Sequence, residues 1–549
     1  MKVLIAGGVA GGAGTAARLR RNDENAQIIL LERGGFISFA NCGLPYYLGG
    51  VIEDREELLL QTPESFRARF AVEVRTHSEV TAVDPAAKTV TVHDREAGRV
   101  YRESYDKLVL SPGARPVQPP IPGADRPEVF TLRNVEDTLR IAAYLDTRRP
   151  KNCAIVGGGS IGLEMAENLR RRGIGVSLIE ASDHVMATLD ADMAHGLHRV
   201  IRSHGVRLEL GARVTEIGAG SVTLADGRHI AADMVLLSAG VRPDTDFLKD
   251  SGIRLGLRGG ILVNEYMETS APDVYALGDA AVVKDFVTGQ DALVSLASPA
   301  NRQARIVADN LAGGRVAYRG AQGTAIAKVF DHTAAMTGQS EAALLRAGTP
   351  YRKSYTWSAS HAGYYPGGTM MAVKLLYTPR EGRLLGAQIV GADGVDKRID
   401  TLAGVLRRRG TVYDLQELEL AYAPPYSSAK DPVNMAGYVA ENVLTGKSRV
   451  FYVENVAALP PGMQLIDVRT PGEFARGTIG GAANLPLDDI RTNLDRLDPQ
   501  KPVYVFCQIG LRGYLAEQIL RAHGFDVKNL SGGYRLYDEM RQDKTERAV

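Results

Sequence analysis

The sequence predicts an α/β protein with two Rossmann-like dinucleotide-binding units. Two stretches carry this reading. Residues 2–32 run as a short apolar strand, a glycine-rich turn, a helix and a second strand ending in an acid, and residues 151–180 repeat that order. A change of character at residues 441–455, from a helix end to "FYVENVAALPPGMQ", predicts a linker and a further domain behind it. At 549 residues the chain is long enough for several domains, each with a sizeable core.

In the first unit, "KVLIAGGVAGGAGTAARLRR", the glycine pattern reads Ala6-x-Gly8-x-x-Gly11, with Ala6 where a glycine is usual and Ala10 inside the turn. Glycines there let the backbone approach a pyrophosphate, which then sits on the helix N-terminus and its dipole. The next strand, "AQIILLE", ends in Glu32, about twenty residues past the turn, where a ribose hydroxyl needs an acceptor. The second copy, "KNCAIVGGGSIGLEMAENLRRRGIGVSLIE", has the full pattern in Gly157, Gly159 and Gly162, with Ile161 inside it and Glu180 closing the following strand. Two such units predict two dinucleotides, and the usual pair is FAD with a nicotinamide cofactor. Glu180 would accept from ribose hydroxyls and repel a 2′-phosphate, which favours NADH over NADPH. Arg170, Arg171 and Arg172 read as a solvated helix face, and Cys153 as a core residue. "YDKLVLSPGARP", with Ser111 and Gly113, closes the first FAD segment, and "VYALGDAAVV" reads as a strand-to-helix junction at Gly278 and Asp279. The expected boundaries are 1–112 and 245–323 for FAD and 113–244 for NAD.

Composition narrows the function. Lys+Arg of 65 against Asp+Glu of 64 leaves a net charge of +1, which gives no electrostatic case for nucleic acid or an anionic membrane. No apolar run approaches the roughly 18 residues of a membrane span. The N-terminus enters a strand at once, so no signal peptide is expected. Three distant cysteines, Cys42, Cys153 and Cys507, do not form a disulfide scaffold and point to a reducing cytoplasm. No metal site is expected. Cys42, in "ISFANCGLPYY", lies just past the second strand and has no second cysteine nearby. It cannot close an internal disulfide, but it can form a mixed disulfide with a small thiol.

"SFANCGLPYY", "LASPANRQARIVADN", "GTAIAKVF", "HAGYYPGG" and "YAPPYSSAKDPVN" resemble the coenzyme A disulfide reductases of the pyridine nucleotide–disulfide oxidoreductase superfamily, in the form fused to a C-terminal rhodanese domain. The fused members include NADH-dependent CoA-persulfide and polysulfide reductases, and the resemblance spans essentially the whole chain. It implies an α+β dimerisation domain at 324–440, a linker at 441–455 and an α/β rhodanese domain at 456–549, in a homodimer. It implies that Cys42 cycles between a thiolate and a mixed disulfide with coenzyme A. A nearby flavin and a helix N-terminus are expected to lower its pKa. Asp279 would hold the flavin ribitol, and Arg33, Asn41, Val80, Ser111, Gly113, Gly240, Ala297 and Pro424 would complete the cofactor contacts. Arg18, Arg21, Ser38, Asn41, Asn301, Arg302 and Lys430 would line the CoA channel. Where relatives often have a lysine, this chain has Phe70, with Arg67 and Arg69 close by. Tyr364 and Tyr422 resemble tyrosines that reach across the dimer and steady a departing thiolate. Tyr365 and Tyr426 stand beside them.

"QLIDVRTPGEFARGTIGGAANLPL" resembles the start of a rhodanese domain, with Asp467, Arg469 and Glu473 in place and Thr478 where a histidine is usual. "PVYVFCQIGLRG" reads as a buried strand running into a loop headed by Cys507. Its backbone N–H groups can cradle an anion, and Arg512 adds a fixed charge. The six residues from Cys507 to Arg512 suit a sulfane sulfur, whereas related phosphatases use a loop one residue longer. The expected activity is therefore FAD-dependent reduction of CoA persulfide, CoA disulfide or polysulfide with NADH, NADPH being possible, plus sulfurtransfer at Cys507. Two other readings stand beside it: a thiol-based NADH oxidase or peroxidase, and a sulfur- or redox-sensing module with little turnover.

Overall fold

The computed structural model describes residues 1–547, with side chains described through Asp543; residues 548 and 549 of the expected rhodanese domain lie outside the described residues. The chain forms two compact units, Met1–Ser182 with Gly205–Gly323, and Asp183–His204 with the chain from Thr324 onward.

The first unit holds two five-stranded parallel sheets. One runs in the order Val274–Ala276, Lys107–Leu110, Lys2–Ala6, Gln27–Leu31, Glu73–Arg75. The other runs Val206–Leu210, Gly175–Glu180, Asn152–Val156, Met234–Leu237, Val129–Phe130. Their central strands are apolar on both faces, as parallel strands covered by helices must be, while the edge strands Glu73–Arg75 and Val206–Leu210 carry charged residues. Helices Ala10–Asn22 and Ala297–Leu311 pack over the first sheet through Ala13, Ala16, Ala304 and Ala308. Cys153 is fully buried in its strand, and burial pushes its thiol up to about 12, in keeping with a core role.

The two glycine turns superpose residue for residue, which corrects the register expected for the first. Gly157 has φ +116°, and a Cβ on it would lie 2.2 Å from the Ser238 carbonyl oxygen; Gly7 has φ +101°, and its Cβ would lie 2.0 Å from that of Ser111. A Cβ on Gly162 would lie 2.1 Å from the Gly157 oxygen, and one on Gly12 would lie 1.8 Å from the Gly7 oxygen. The demanding glycines of the first turn are therefore Gly7 and Gly12, one residue beyond Ala6 and Gly11. Val9 occupies the helix N-cap that Gly159 holds in the second copy. The run of adjacent glycines concealed this one-residue slip. A second correction concerns Gly278 and Asp279. They form a single 3-10 turn, Gly278–Ala280, that leads into the strand Ala281–Lys284; the helix begins only at Ala297.

In the second unit, a five-stranded antiparallel sheet runs Ala325–Val329, His332–Gly338, Leu384–Gly391, Met370–Tyr377, Arg352–Ala359. Helices Val395–Arg407 and Pro432–Leu444 complete the α+β domain. A five-stranded parallel sheet follows, in the order Val450–Phe451, Val527–Leu530, Val503–Phe506, Gln464–Asp467, Ala483–Asn484. Val450–Phe451, inside the stretch expected to be linker, is thus an edge strand of this sheet. Two residues are too short to show a period in sequence, and the pairing with Asn529 and Leu530 defines them.

The segment Asp183–His204 is held in this unit by buried charge. The Lys374 ammonium is fully buried, 2.9 Å from Asp190 and 2.8 Å from Asp192, and it also pairs with Glu341. Burial alone would lower its pKa, but the three carboxylates hold it above the ordinary lysine range. At the other end of the helix Ala191–Ser203, one carboxylate gathers three partners. Asp543 lies 2.7 Å from His195 Nδ1, 3.1 Å from His198 Nδ1 and 2.9 Å from Arg202 Nη1. His198 Nε2 accepts from the Val185 N–H at 3.2 Å, which leaves the ring proton on Nδ1, facing Asp543. Burial would raise the Asp543 carboxyl, but hydrogen bonds from both histidines and the charge beside it outweigh burial and hold it far below the carboxylate range.

A folded-state pKa below the unfolded one adds stability that is present above the ordinary aspartate range and is lost as pH falls through the folded value. Asp543→Asn should therefore lower the melting temperature, with a loss of about 3–5 kcal/mol near neutrality, the usual cost of breaking a buried pair. The gap from wild type should narrow below about pH 4. Calorimetric melts of both proteins across pH check this.

Candidate active site

The two acids expected to meet ribose occupy equivalent places. Glu32 accepts from the Gly8 N–H at 2.7 Å and the Gly34 N–H at 2.9 Å; Glu180 accepts from Gly158 at 2.7 Å and Ser182 at 2.7 Å. Each carboxylate is thereby aimed across its own turn. Beside Glu32 opens a cavity of about 300 Å³ lined by Gly7, Glu32, Arg33, Val80, Arg115 and Asp244. Arg33 pairs with Asp244 on this wall. An acid for the ribose, glycines that bring the backbone close and a walled cavity fit the adenosine end of FAD. The Gly157 turn with Glu180 fits a second dinucleotide in the same way. Asp279 is 2.8 Å from Arg133 Nη2. Gly113 and Gly240 both take positive φ, +70° and +95°, and Ala297 opens its helix. Of the arginines read as a solvated face, Arg172 pairs with Asp146 at 2.7 Å, an exposed contact that leaves the preference to Glu180.

Cys42 stands on a 3-10 turn, Asn41–Gly43, that runs into the short helix Leu44–Leu48. Its side chain reaches solvent. The expected lowering of its pKa by the protein's own groups is not found. Burial of part of the group and then the Glu164 carboxylate raise it, while Arg133 works the other way. A five-residue helix offers little dipole to oppose this. Glu164 is a residue that motif reading missed. It sits in the first turns of the helix Ser160–Arg171, two positions past Gly162, and burial with the neighbouring Glu167 pushes it up to about 7. Burial and then Glu164 also push Tyr46 up to about 12. The Glu164 charge thus opposes ionisation of Cys42, and the Glu164 carboxyl can itself hold a proton near neutrality. The signal available in sequence was one acid directly after GxGxxG, which a helix surface equally explains.

The residues expected to meet CoA are mixed in their commitments. Arg18 is tied to Asp309 at 2.8 Å, Asn301 donates to Ala297 O in its own helix at 2.9 Å, and Arg302 stacks over Tyr318 at 5.8 Å. Arg21 and Lys430 are exposed, and Ser38 takes a left-handed φ of +45° with its N–H on Gly8 O. Arg67 and Arg69 are exposed beside the partly buried Phe70.

In the second unit, Tyr364 and Tyr422, 58 residues apart, share a hydrogen bond of 2.6 Å between their hydroxyls. Tyr364 is 75% exposed, so the pair presents its oxygens outward. That hydrogen bond raises the Tyr364 pKa. Arg398, another residue missed in sequence, brings the two loops together. Its buried guanidinium donates to Ser360 O, Tyr426 O and Ser427 Oγ and pairs with Asp431 at 3.0 Å. Pro424 lies in the loop between Tyr422 and Ser427.

Cys507 is fully buried at the end of the strand Val503–Phe506, and its Sγ receives the Gly510 N–H at 3.2 Å. Arg512 makes a two-pronged pair with Glu473 at 2.7 and 2.6 Å, which holds that carboxyl down at about 2. Arg469 pairs with Asp467 at 2.7 Å and donates to Gln508 Oε1 at 3.1 Å. Thr478, at the place of the usual histidine, donates to Asp467 at 2.9 Å. A buried sulfur with an inward N–H and a fixed guanidinium can stabilise a thiolate or persulfide.

Two dinucleotide turns, a cysteine beside the first and a sulfur-cradling loop define a thiol-linked, two-dinucleotide oxidoreductase. The comparisons agree. The pyridine nucleotide-disulphide oxidoreductase family matches residues 1–304, its dimerisation domain residues 324–432, and the rhodanese-like domain residues 454–539. The chain belongs to the pyridine nucleotide-disulphide oxidoreductase family and carries a rhodanese-like domain. It is 38% identical over 443 residues to a coenzyme A disulfide reductase of Staphylococcus haemolyticus (strain JCSC1435), covering 80% of this chain and all of the relative. Among solved structures it resembles reduced Bacillus anthracis CoADR-RHD, with 46% identity, a TM-score of 0.97, and coverage of 100% of this chain and 98% of that one. It also resembles a NAD-dependent persulfide reductase from A. fulgidus, with 34% identity, a TM-score of 0.92, and coverage of 98% and 100%.

Removing the Glu164 charge should lower the Cys42 pKa. In Glu164→Gln, iodoacetamide should alkylate Cys42 faster than in wild type at pH 8. The difference should fade below about pH 6, where the native carboxyl is already protonated. Rates are read on the Cys42 peptide by mass spectrometry. Equal rates at both pH values would remove Glu164 from the thiol's control.

Proposed function

We propose that this protein is an FAD-dependent reductase that uses NADH, with NADPH as a possible substitute, to reduce CoA persulfide, CoA disulfide or polysulfide, and that its rhodanese domain handles sulfane sulfur at Cys507. The observation that carries the reading is a single exposed cysteine, four residues past the Ser38 N–H that binds Gly8 O of the first dinucleotide turn, joined in one chain to a second cysteine in a sulfur-cradling loop. Its full-length likeness to a structure described as a persulfide reductase supports it.

Cys42 reacts as the thiolate, and protonation of Glu164 near neutrality removes the charge that opposes its ionisation. The thiolate attacks the inner sulfur of CoA persulfide. A Cys42–S–S–CoA bond forms, the bond to the outer sulfur breaks, and hydrosulfide leaves; with CoA disulfide the leaving group is the CoA thiolate. FAD held beside Glu32 and NADH held at the Gly157 turn with Glu180 would supply the electron pair that reopens the mixed disulfide. Cys42 returns as thiolate and coenzyme A departs. Arg18, Arg21, Ser38, Asn41, Asn301, Arg302 and Lys430 bind CoA in this reading. The exposed Tyr364–Tyr422 pair donates to the departing sulfur of the partner subunit's site, which requires a homodimer. A cytoplasmic location suits a thiol enzyme with unpaired cysteines.

Cys42→Ser should abolish NADH-dependent release of sulfide from CoA persulfide, by at least about a thousandfold, the scale for losing a nucleophile. Bound FAD should remain visible by its absorbance. Substantial turnover in that variant would sink the mechanism, and oxygen consumption in place of sulfide release would favour an oxidase.

Shared sites make a second expectation. Mixing inactive Cys42→Ser chains with an inactive Tyr364→Phe/Tyr422→Phe variant, followed by subunit exchange, should restore up to one working site per heterodimer. A fully active monomer by sedimentation would rule the shared site out.

A further inference from the structure

The Cys507 loop takes its shape from a segment outside it. Its first two carbonyls accept from the start of the last helix, Gly533–Arg547. The Tyr534 N–H reaches Cys507 O at 2.8 Å, and the Arg535 N–H reaches Gln508 O at 2.9 Å. With those carbonyls held, the Gly510 N–H meets Cys507 Sγ at 3.2 Å and Arg512 faces the same sulfur. The approach is tight: a Cβ on Gly533 would lie 2.7 Å from Cys507 O and 2.8 Å from both Gln508 O and Gly510 N. A movement of residues 532–535 is therefore passed on to the loop.

That segment is not stiff by itself. Gly532 and Gly533 are consecutive glycines with φ of +84° and +67°, and a glycine pair has many other backbone conformations open to it. Tyr534 is held from within the rhodanese domain, its ring against the Arg469 guanidinium at 4.0 Å. Gly532 and Arg535 are held from outside that domain by Trp357, the one tryptophan of the chain, on the edge strand Arg352–Ala359 of the antiparallel sheet. The indole Nε1 donates to Gly532 O at 3.0 Å, and the Arg535 guanidinium lies over the ring at 4.2 Å. One side chain of the α+β domain thus grips the residues on both sides of Gly533 and Tyr534. The pairs of Glu539 with Arg199 and of Asp543 with His195 lie further along the helix and fix its body, not its first turn.

We propose that Trp357 is a positioning residue for the Cys507 loop, and that the α+β domain, through this one indole, sets the conformation in which the loop N–H and Arg512 face the sulfur. The positioning stands on the geometry alone. Its consequence for turnover rests on the reading of Cys507 as the group that handles sulfane sulfur.

The test uses the full-length holoenzyme and two variants. Trp357→Phe keeps an aromatic face for Arg535 and removes the N–H; Trp357→Leu removes both. Amide hydrogen exchange read by mass spectrometry should be about tenfold faster over residues 507–512 and 532–537 in Trp357→Phe, the scale for one lost hydrogen bond, and faster still in Trp357→Leu. Exchange over the strands at 464–467 and 503–506 should stay within about twofold of wild type. Sulfur transfer from thiosulfate to cyanide should lose about tenfold in kcat with KM within about twofold, while NADH-dependent reduction of CoA disulfide stays at the wild-type rate. Unchanged exchange over both segments in Trp357→Leu would overturn the proposal. Equal loosening of the whole rhodanese domain would overturn it too, leaving Trp357 a residue that only stabilises the fold. No thiocyanate from wild type would count against the sulfur reading of Cys507, and the exchange rates would still decide the positioning.

Discussion

Two carbonyl oxygens set the geometry on which both nucleotide sites depend. Ser111 O and Ser238 O come so close to Gly7 and Gly157 that a Cβ on either glycine would collide with backbone. This contact is between the turn after the central strand of each sheet and the end of the adjacent parallel strand, so it fixes turn, helix start and neighbouring strand at once. With the turn fixed, Gly8 and Gly158 point their N–H groups at Glu32 and Glu180, and each acid is oriented as a consequence. The cavity beside Glu32 and the start of each helix follow from the same approach of two backbones.

The second unit is organised by charge that has been taken out of water and fully partnered. Lys374 with Asp190, Asp192 and Glu341, and Arg398 with Asp431, are buried groups whose desolvation is offset only because every charge has its counterpart close by. The consequence for function is positional. Arg398 ties the 360s loop to the 420s loop, and the two exposed tyrosines meet because of it. In the rhodanese domain, the Arg512–Glu473 and Arg469–Asp467 pairs fix the side chains that surround a buried sulfur, and Arg512 also faces Cys507.

The two Rossmann-like units were legible because strand, glycine turn, helix and closing acid recur at a fixed spacing, each part having a local physical cause. Glu32, Glu180 and the buried Cys153 followed from that pattern alone. The register of the first turn was not legible, since adjacent glycines at 7, 8, 11 and 12 satisfy the pattern one way or the other until Ser111 O approaches. The strand Val450–Phe451 was hidden by its length, and Asp279 was read into a helix that the chain enters only at Ala297. Glu164 and Arg398 escaped because an acid or an arginine on a helix is ordinarily a surface residue, and nothing local marks it as enclosed.

Sequence by itself determined the strand–turn–helix–strand order of the two dinucleotide units, the lone Cys42 and the loop headed by Cys507, because each depends on residues close in the chain. Only the tertiary structure decided which glycines carry the turns, that Glu164 presses on Cys42, that Tyr364 and Tyr422 touch across 58 residues, and that Arg512 and Arg469 pair with Glu473 and Asp467. Those outcomes depend on desolvation and on distances between segments far apart in the chain, and both come into being only when the chain is packed.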